Sequence, residues 1–372
     1  MVVAVDQMRP EYLDRVFARV REEGAVFTNA RHTHLPTETA PGHAAISTGR
    51  LPVTHGIVGN DWFDHESGKD VYCVADAVFG IGPEHLGGPT LADALKAASP
   101  KSRVFSLSSK DRSAVLLGGR KADLALWFDR NIGEFTTSGY YRRPAWLDAF
   151  NKKLKASGRL ALMDGKVPSA TMASPALDVA TRELASELVR REKVGRGPSL
   201  DLLLVSFSGT DTVGHTHGIE SPEMAAQLAG LDKEFSILLT ELEKASGGDL
   251  VLALSSDHGA APEPERPLGK ASGIRRLDWL EFGKSLEAAL QAKWPAPDKR
   301  WIVSYQVPHL YLDRAMLARR DVRDVAGVLA KAAGVHQVSV PDDVQAGRHD
   351  PGGLGVARGR FVDDIDPFFR CY

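Results

Sequence analysis

Leu200-Asp-Leu-Leu-Leu-Val-Ser-Phe207 is a short apolar run, and Ser208-Gly-Thr-Asp211-Thr-Val-Gly-His215 follows it directly. A run of that length and composition reads as a strand buried on both faces, as in a parallel sheet. The residues after it are a carboxylate and an imidazole four positions apart. The same arrangement recurs along the chain. Val2 to Val5 is apolar and ends at Asp6, Arg103 to Leu107 ends before Lys110, and Asp249 to Leu254 ends before Asp257. Between these runs lie segments with helical spacing of apolar residues, at Ala176 to Lys193 and Pro222 to Ala245. Pro10 opens a further helix expected to run to about Glu23 and to close at Gly24. Strands alternating with amphipathic helices indicate an α/β protein. In parallel sheets the C-terminal strand ends share one edge, so polar residues distant in sequence converge there. The less regular stretches at roughly 113–175 and 262–350 read as insertions over the sheet.

The chain has 372 residues, 43% of them hydrophobic, enough for a sizeable core in one large domain. A formal net charge of −2 argues against a general nucleic-acid or anionic-membrane binder, so no nucleic-acid-binding surface is expected. No apolar run approaches the roughly 18 residues of a membrane span. No signal peptide is legible, because Met1 sits directly on the first strand, and nothing in the sequence speaks to oligomeric state. Two cysteines, Cys73 and Cys371, neither require nor exclude a disulfide, and they are too few for a thiolate-built zinc site. Any metal must rely on His and carboxylates.

The candidate chemistry lies in three groups. In His34-Leu-Pro-Thr-Glu-Thr39-Ala-Pro-Gly-His43, Pro41 suits the first turn of a helix reaching about Thr48. Thr39 would stand at its N-terminus, where backbone N–H groups and the dipole favour an anion. Taken alone, Thr39 is more readily an N-cap than a nucleophile, since a Thr hydroxyl attacks only when a base or metal ionises it. Asp6, Asp211 with His215, and Asp257 with His258 supply donors that suit zinc. Each alone is an ordinary strand-end or turn residue, but together, all after buried strands, they point to metal, and two sets of ligands suggest two ions. Lys110 and Arg112 are two apart, so an extended loop would aim both at the same phosphate. Asn60, in Val58-Gly59-Asn60-Asp61, could donate to a phosphate oxygen or merely serve its turn. Trp127, Phe135, Tyr140 and Tyr141 could stack on a leaving group, although core packing explains them equally well.

The chain resembles the alkaline phosphatase superfamily, in the branch that joins nucleotide pyrophosphatases/phosphodiesterases to PafA-like bacterial alkaline phosphatases. The residues that carry the resemblance are Val2-Val-Ala-Val-Asp-Gln7, Thr37-Glu-Thr-Ala-Pro-Gly-His43, Ser47-Thr-Gly49, Thr54-His-Gly-Ile57 and Gly59-Asn-Asp-Trp62. Lys110-Asp-Arg112, Asp211-Thr-Val-Gly-His215 and Ser256-Asp-His-Gly259 complete them, in family order. The resemblance implies a three-layer αβα fold with a central, mostly parallel sheet and inserted cap segments. It implies a zinc-dependent phosphate monoester hydrolase acting on small-molecule phosphate esters through a phosphothreonine at Thr39. Thr39, Asp6, Asp257 and His258 would hold one Zn2+, Asp211 and His215 the second, and Asn60, Lys110 and Arg112 the phosphoryl oxygens. A periplasmic or secreted location is implied as well. Lys110 and Arg112 favour the PafA-like branch, because a monoester dianion needs more cationic neutralisation than a diester. Sulfatases of the superfamily need a Cys or Ser where this chain has Thr39.

One departure stands out. The family's second zinc takes a further His from a Thr-His-Gly segment near the C-terminus, and none follows Gly259 here; the only such runs are at 54–56 and 216–218. The expectation is that the family's C-terminal part is absent from this chain. His217, His309, His336 and His349 are conceivable substitutes. Two alternatives remain open: a phosphodiesterase/nucleotide pyrophosphatase on the same scaffold, and an incomplete, inactive metal-binding fragment.

Overall fold

The strands Val2–Val5 (β1), Arg103–Ser108 (β2), Leu124–Asp129 (β3), Glu134–Thr136 (β4), Asp201–Phe207 (β5) and Ala253–Ser255 (β6) form one sheet in the order β6-β1-β5-β2-β3-β4. Every pairing is parallel except that of β3 with the short edge strand β4. This is a computed structural model, and it describes residues 1–273, 276–306, 309–340 and 368–371.

Alternating strand residues serve opposite faces of the sheet. Val3, Val5, Leu203, Val205 and Phe207 join one core with Leu177, Leu184 and Leu188 of the helix Ala176–Arg191 and with Leu228, Leu231 and Leu238 of the helix Pro222–Ser246. Ala4, Leu202 and Leu204 face the other way and pack with Leu117 of the helix Asp111–Gly118 and Ile46 of the helix Thr39–Thr48. Burial on both faces produces three layers and explains why these strands are mostly apolar rather than alternating apolar and polar. We label the helices α1 (Ala18–Glu23), α2 (Thr39–Thr48), α3 (Asp111–Gly118), α4 (Ala176–Arg191), α5 (Gly209–His217) and α6 (Pro222–Ser246).

Three local expectations need correction. The segment from Pro10 is not one helix: a 3-10 turn at Pro10–Asp14 precedes α1, and Phe17 between them is left-handed with φ of 60°. Tertiary anchoring explains the break. The Phe17 amide donates to Asp232 at 2.7 Å, and its buried ring meets Phe235 edge-on at 4.7 Å. The strand at Asp249–Leu254 shortens to β6 at the sheet edge, where Val251 lies outside and exposed. Within 113–175, β3 and β4 extend the central sheet itself, because Leu124 to Phe128 are buried there. Trp127 and Phe135 belong to these strands; Phe135 packs on Phe128 and Phe150 and so serves the core, and Trp127 is buried.

The chain divides into two units. The sheet above belongs to the first, which comprises Met1–Arg31, Thr37–Arg50 and Val74–Ala261. The second comprises His32–Pro36, Leu51–Cys73 and Pro262–Tyr372. It contains an antiparallel hairpin of Asp61–Asp64 with Lys69–Tyr72, and a four-stranded sheet in the order Ile302–Gln306, His309–Leu312, Phe368–Cys371, Val335–Ser339. Its own core gathers Phe282, Leu286 and Leu290 of the helix Trp279–Lys293 with Trp301, Leu310, Leu312, Val325 and Leu329. Among the described residues no helix is long and apolar enough to cross a membrane.

Candidate active site

Strand register assembles the site. Ala4 of β1 pairs with Ser255 of β6, so Asp6 and Asp257, each two residues further on, lie side by side past the strand ends. Val5 pairs with Phe207 of β5, and the Asp6 amide donates to the Phe207 carbonyl at 2.8 Å. That contact brings the start of α5, which carries Asp211 and His215, to the same edge. Ser108 of β2 pairs with Ser206 of β5, which delivers Lys110.

Thr39 is the first residue of α2, after Glu38 at the cap position, and no side chain caps this helix. The cap role weighed for Thr39 is therefore not the one its hydroxyl plays. Thr39 is buried, with Oγ1 3.5 Å from Asp6 Oδ1 and 3.4 Å from Lys110 Nζ. α2 reaches this position by close backbone approach. A Cβ on Gly42 would lie 2.2 Å from the Asp257 carbonyl oxygen, so only glycine fits.

Asp6, Asp257 and His258 are buried, and one donor atom from each lies within 4.8 Å of the others. His258 Nδ1 donates to the Gly259 carbonyl at 2.8 Å, which leaves Nε2 facing the carboxylates, 3.4 Å from Asp6 and 3.6 Å from Asp257. Asp257 Oδ2 has no hydrogen-bond partner although it is buried. His43 Nδ1 lies 3.2 Å from it but is closer to the Thr39 carbonyl, at 2.8 Å. A buried, unsatisfied carboxylate oxygen beside two more hard donors fits a divalent cation, and two carboxylates with an imidazole suit zinc.

The cationic component of the cluster is Lys110. Its ammonium sits 2.5 Å from Asp6 Oδ2 and 2.6 Å from Asp211 Oδ2. Burial works against ionising Asp6, but Lys110 and the adjoining Asp257 and His258 hold its carboxyl well below the usual range. Burial and the Asp6 charge push Asp257 upward, since two touching carboxylates do not both ionise cheaply. Burial opposes the charged form of His258 as well, yet Asp6 and Asp257 push its imidazole up to about 9. On the exposed side, His215 Nε2 lies 3.2 Å from Asp211 Oδ1, and that hydrogen bond raises the imidazole.

Seven sequence candidates thus meet in the first unit: Asp6, Thr39, Lys110, Asp211, His215, Asp257 and His258. Lys110 and Arg112 do not share an extended loop. Lys110 is extended at the cap of α3 and Arg112 lies in its first turn. Asn60 belongs to the second unit, where its carbonyl accepts from the Cys73 amide at 2.9 Å. Among the described residues, Asp6–Asp257–His258 is the only group of three or more His, Cys, Asp or Glu arranged for a metal. Of the substitute histidines, His309 is buried in the second unit, while the His336 side chain and all of His349 lie outside the described residues.

Three further residues build the site and were not singled out from sequence. His43 Nε2 pairs with Ser206 Oγ at 2.9 Å, tying α2 to β5. Gln7, with a left-handed φ of 61°, donates its amide N–H to Asp257 Oδ1 and its side-chain Nε2 to Asp211 Oδ1, both at 3.1 Å. Asp178 of α4 accepts from Gly209 N at 3.0 Å and from Gln227 Nε2 at 2.6 Å, which fixes the first turn of α5; burial pushes its carboxyl up to about 7. An Asp on the apolar stripe of α4, between Leu177 and Ala180, was the visible signal for that role.

Residues 1–349 match the family described as type I phosphodiesterase / nucleotide pyrophosphatase. Alkaline phosphatase PhoK of Sphingomonas sp is 30% identical over 87% of this chain and 66% of its own length. Alkaline phosphatase PafA of Elizabethkingia meningoseptica is 31% identical over 92% of this chain and 75% of its own. The crystal structure of wild type alkaline phosphatase PafA superposes with a TM-score of 0.88 at 26% identity, covering 100% of this chain and 84% of that one. The chain spans between about half and two thirds of the length of several of its curated relatives, 54% in one case and 61% in another.

Proposed function

We propose that this chain, which belongs to the type I phosphodiesterase / nucleotide pyrophosphatase family, is a zinc-dependent phosphate monoester hydrolase with Thr39 as its nucleophile. The supporting observation is the placement of the Thr39 hydroxyl. It is buried at a helix N-terminus, makes no cap, and stands between the Asp6 carboxylate and the Lys110 ammonium. Alkaline phosphatases at 30–31% identity support the same reading.

Zn2+ bound by Asp6, Asp257, His258 and Thr39, with a second ion at Asp211 and His215, would supply the Lewis acidity that lowers the hydroxyl pKa and steadies the leaving oxygen. Thr39 Oγ1 attacks phosphorus as the bond to the leaving oxygen breaks in line. A phosphothreonine forms, and water attacks its phosphorus to release phosphate and restore the hydroxyl. The N-terminus of α2 aims backbone N–H groups and a positive dipole end at the phosphoryl group. Lys110 and Arg112 neutralise the equatorial oxygens, where charge sits in a loose transition state. A monoester carries nearly two charges there and a diester one, so two cations favour the monoester. A location outside the cytoplasm is part of this reading.

The test is Thr39→Ala. Wild type should hydrolyse an aryl phosphate and yield a phosphothreonine on acid quench, and Thr39→Ala should give neither while keeping its zinc-independent secondary structure. Activity of Thr39→Ala well above an Asp257→Ala control would move the nucleophile to water. The description of the matching family favours one rival, a phosphodiesterase; wild type preferring methyl aryl phosphate over aryl phosphate would put it first.

A further inference from the structure

His43 stands one helical turn after Thr39 on α2, and its imidazole is fully buried. Nδ1 lies 2.8 Å from the carbonyl oxygen of Thr39 and 3.2 Å from Asp257 Oδ2, and Nε2 lies 2.9 Å from Ser206 Oγ. A carbonyl oxygen can only accept, so the proton sits on Nδ1 and is donated to Thr39. Nε2 of the neutral ring is then an acceptor, and the Ser206 hydroxyl donates to it. One imidazole therefore joins the backbone of the nucleophilic residue, a metal-ligand carboxylate and the central sheet.

The surroundings leave the ring one orientation. Ser206 is buried in β5 between the apolar residues Val205 and Phe207. A hydroxyl there costs free energy unless it is bonded, and His43 Nε2 is the partner it meets. Asp257 Oδ1 is taken by the backbone amides of Gln7 and His258, at 3.1 and 2.8 Å, so Oδ2 is the oxygen left for a cation. The Nδ1 edge of His43 flanks that oxygen. The preceding residue, Gly42, lets the α2 backbone approach the Asp257 carbonyl. Helix and ligand thus meet over two consecutive residues, one through its backbone and one through its ring. Being fully buried, the ring meets no substrate, and no step of the proposed reaction uses it.

We propose that His43 is a positioning residue of the hydrolysis: anchored to β5 through Ser206, it holds the Thr39 carbonyl with Nδ1–H and steadies Asp257 Oδ2, so that the attacking hydroxyl and the ligand carboxylate keep one separation. This rests on the reading of Thr39 as nucleophile and Asp257 as metal ligand. In-line attack demands alignment, and misplacing a reacting group by about 1 Å can cost about 100-fold in rate. The effect falls on kcat, because His43 itself binds no part of the substrate.

Kinetics of aryl phosphate hydrolysis test this, with wild type, His43→Asn, His43→Gln and Ser206→Ala matched for zinc content and circular dichroism. Asn can place an N–H near the position of Nδ1, and Gln near that of Nε2. His43→Gln should lose about 10- to 100-fold in kcat with KM little changed, the loss typical of removing a partner that orients a metal ligand. His43→Asn should recover most of that loss. Formation of phosphothreonine after mixing should slow in step with kcat. Ser206→Ala leaves the ring in place and tests the anchor even where a His43 variant does not fold; it should lower kcat several-fold. In nitrogen NMR of histidine-labelled wild type at pH 8, the His43 ring should carry its proton on Nδ1 and none on Nε2. The proposal is overturned if His43→Gln or Ser206→Ala keeps wild-type kcat, if His43→Asn is no better than His43→Gln, if the loss lies in KM alone, or if the neutral ring carries its proton on Nε2. A wild type that turns over without forming phosphothreonine would instead remove the nucleophile reading on which the inference stands.

Discussion

Replacing Lys110 by methionine should destabilise the metal-free protein and hardly affect the zinc-loaded one. The Lys110 ammonium lies 2.5 and 2.6 Å from carboxylate oxygens of Asp6 and Asp211, and its side chain is only 13% exposed. Methionine keeps most of the volume and removes the charge, leaving two buried carboxylates with the imidazoles of His258 and His215 to offset them. Breaking a buried ion pair from one side costs about 3–5 kcal/mol. At about 2–4 °C per kcal/mol for a cooperative unit of 150–250 residues, the melting temperature in chelator should fall by roughly 6–20 °C. In zinc the same carboxylates are neutralised by the metal, so the drop should shrink to a few degrees. The assay is calorimetry of wild type and Lys110→Met, each with chelator and with excess zinc. Equal loss in both conditions would mean that Lys110 is structural and unrelated to the metal. No loss in chelator would mean that the Asp6–Lys110–Asp211 bridge contributes nothing.

Arg112→Ala should lower kcat/KM for an aryl phosphate by about 30- to 1000-fold, as for loss of an oxyanion donor worth about 2–4 kcal/mol, and should harm a methyl aryl phosphate clearly less; equal losses would make Arg112 a support of α3. The His258 imidazole, pushed up to about 9 in the folded protein from an ordinary value near 6.5, contributes stability that is fully present below about pH 6.5 and lost as pH rises through about 9. Thermal unfolding of chelated protein should therefore weaken across that window by up to ~3 kcal/mol, and a His258→Asn variant with the same slope would refute the assignment. Asp178, pushed up to about 7, is likewise most stabilising while protonated, so its contribution fades as pH rises from about 4 through 7. Asp178→Asn should remove that loss and be the more stable protein at pH 8 by a few kcal/mol, because Gln227 Oε1 has no partner at present and can accept from the new amide; a variant less stable than wild type at pH 8 would show that the ionised carboxylate itself holds α5.

Sequence by itself determined the class of fold and most of the site. Runs such as Leu202 to Val205 are apolar without alternation because both sheet faces are covered, and that pattern needs no tertiary information. The same holds for the polar residues just past the strand ends, since a parallel sheet places those ends on one edge. Tertiary structure decided what the side chains there do. Lys110 reads from sequence as a phosphate contact on an extended loop; strand register adds what the sequence could not show, that its ammonium also meets Asp6 and Asp211, where Coulomb attraction in a buried setting favours it. Thr39 had the composition of a cap, and only the packing of α2 on Asp257, allowed by Gly42, turns its hydroxyl into the cluster. Gln7 and His43 lie within the motifs that carry the family resemblance, but their roles are not legible there, because what defines them is contact with residues 163 to 250 positions away. Local patterns in a chain report which groups must be buried and which must not; the distances that decide whether a buried carboxylate meets an ammonium, an amide or a metal exist only once strands remote in sequence are paired.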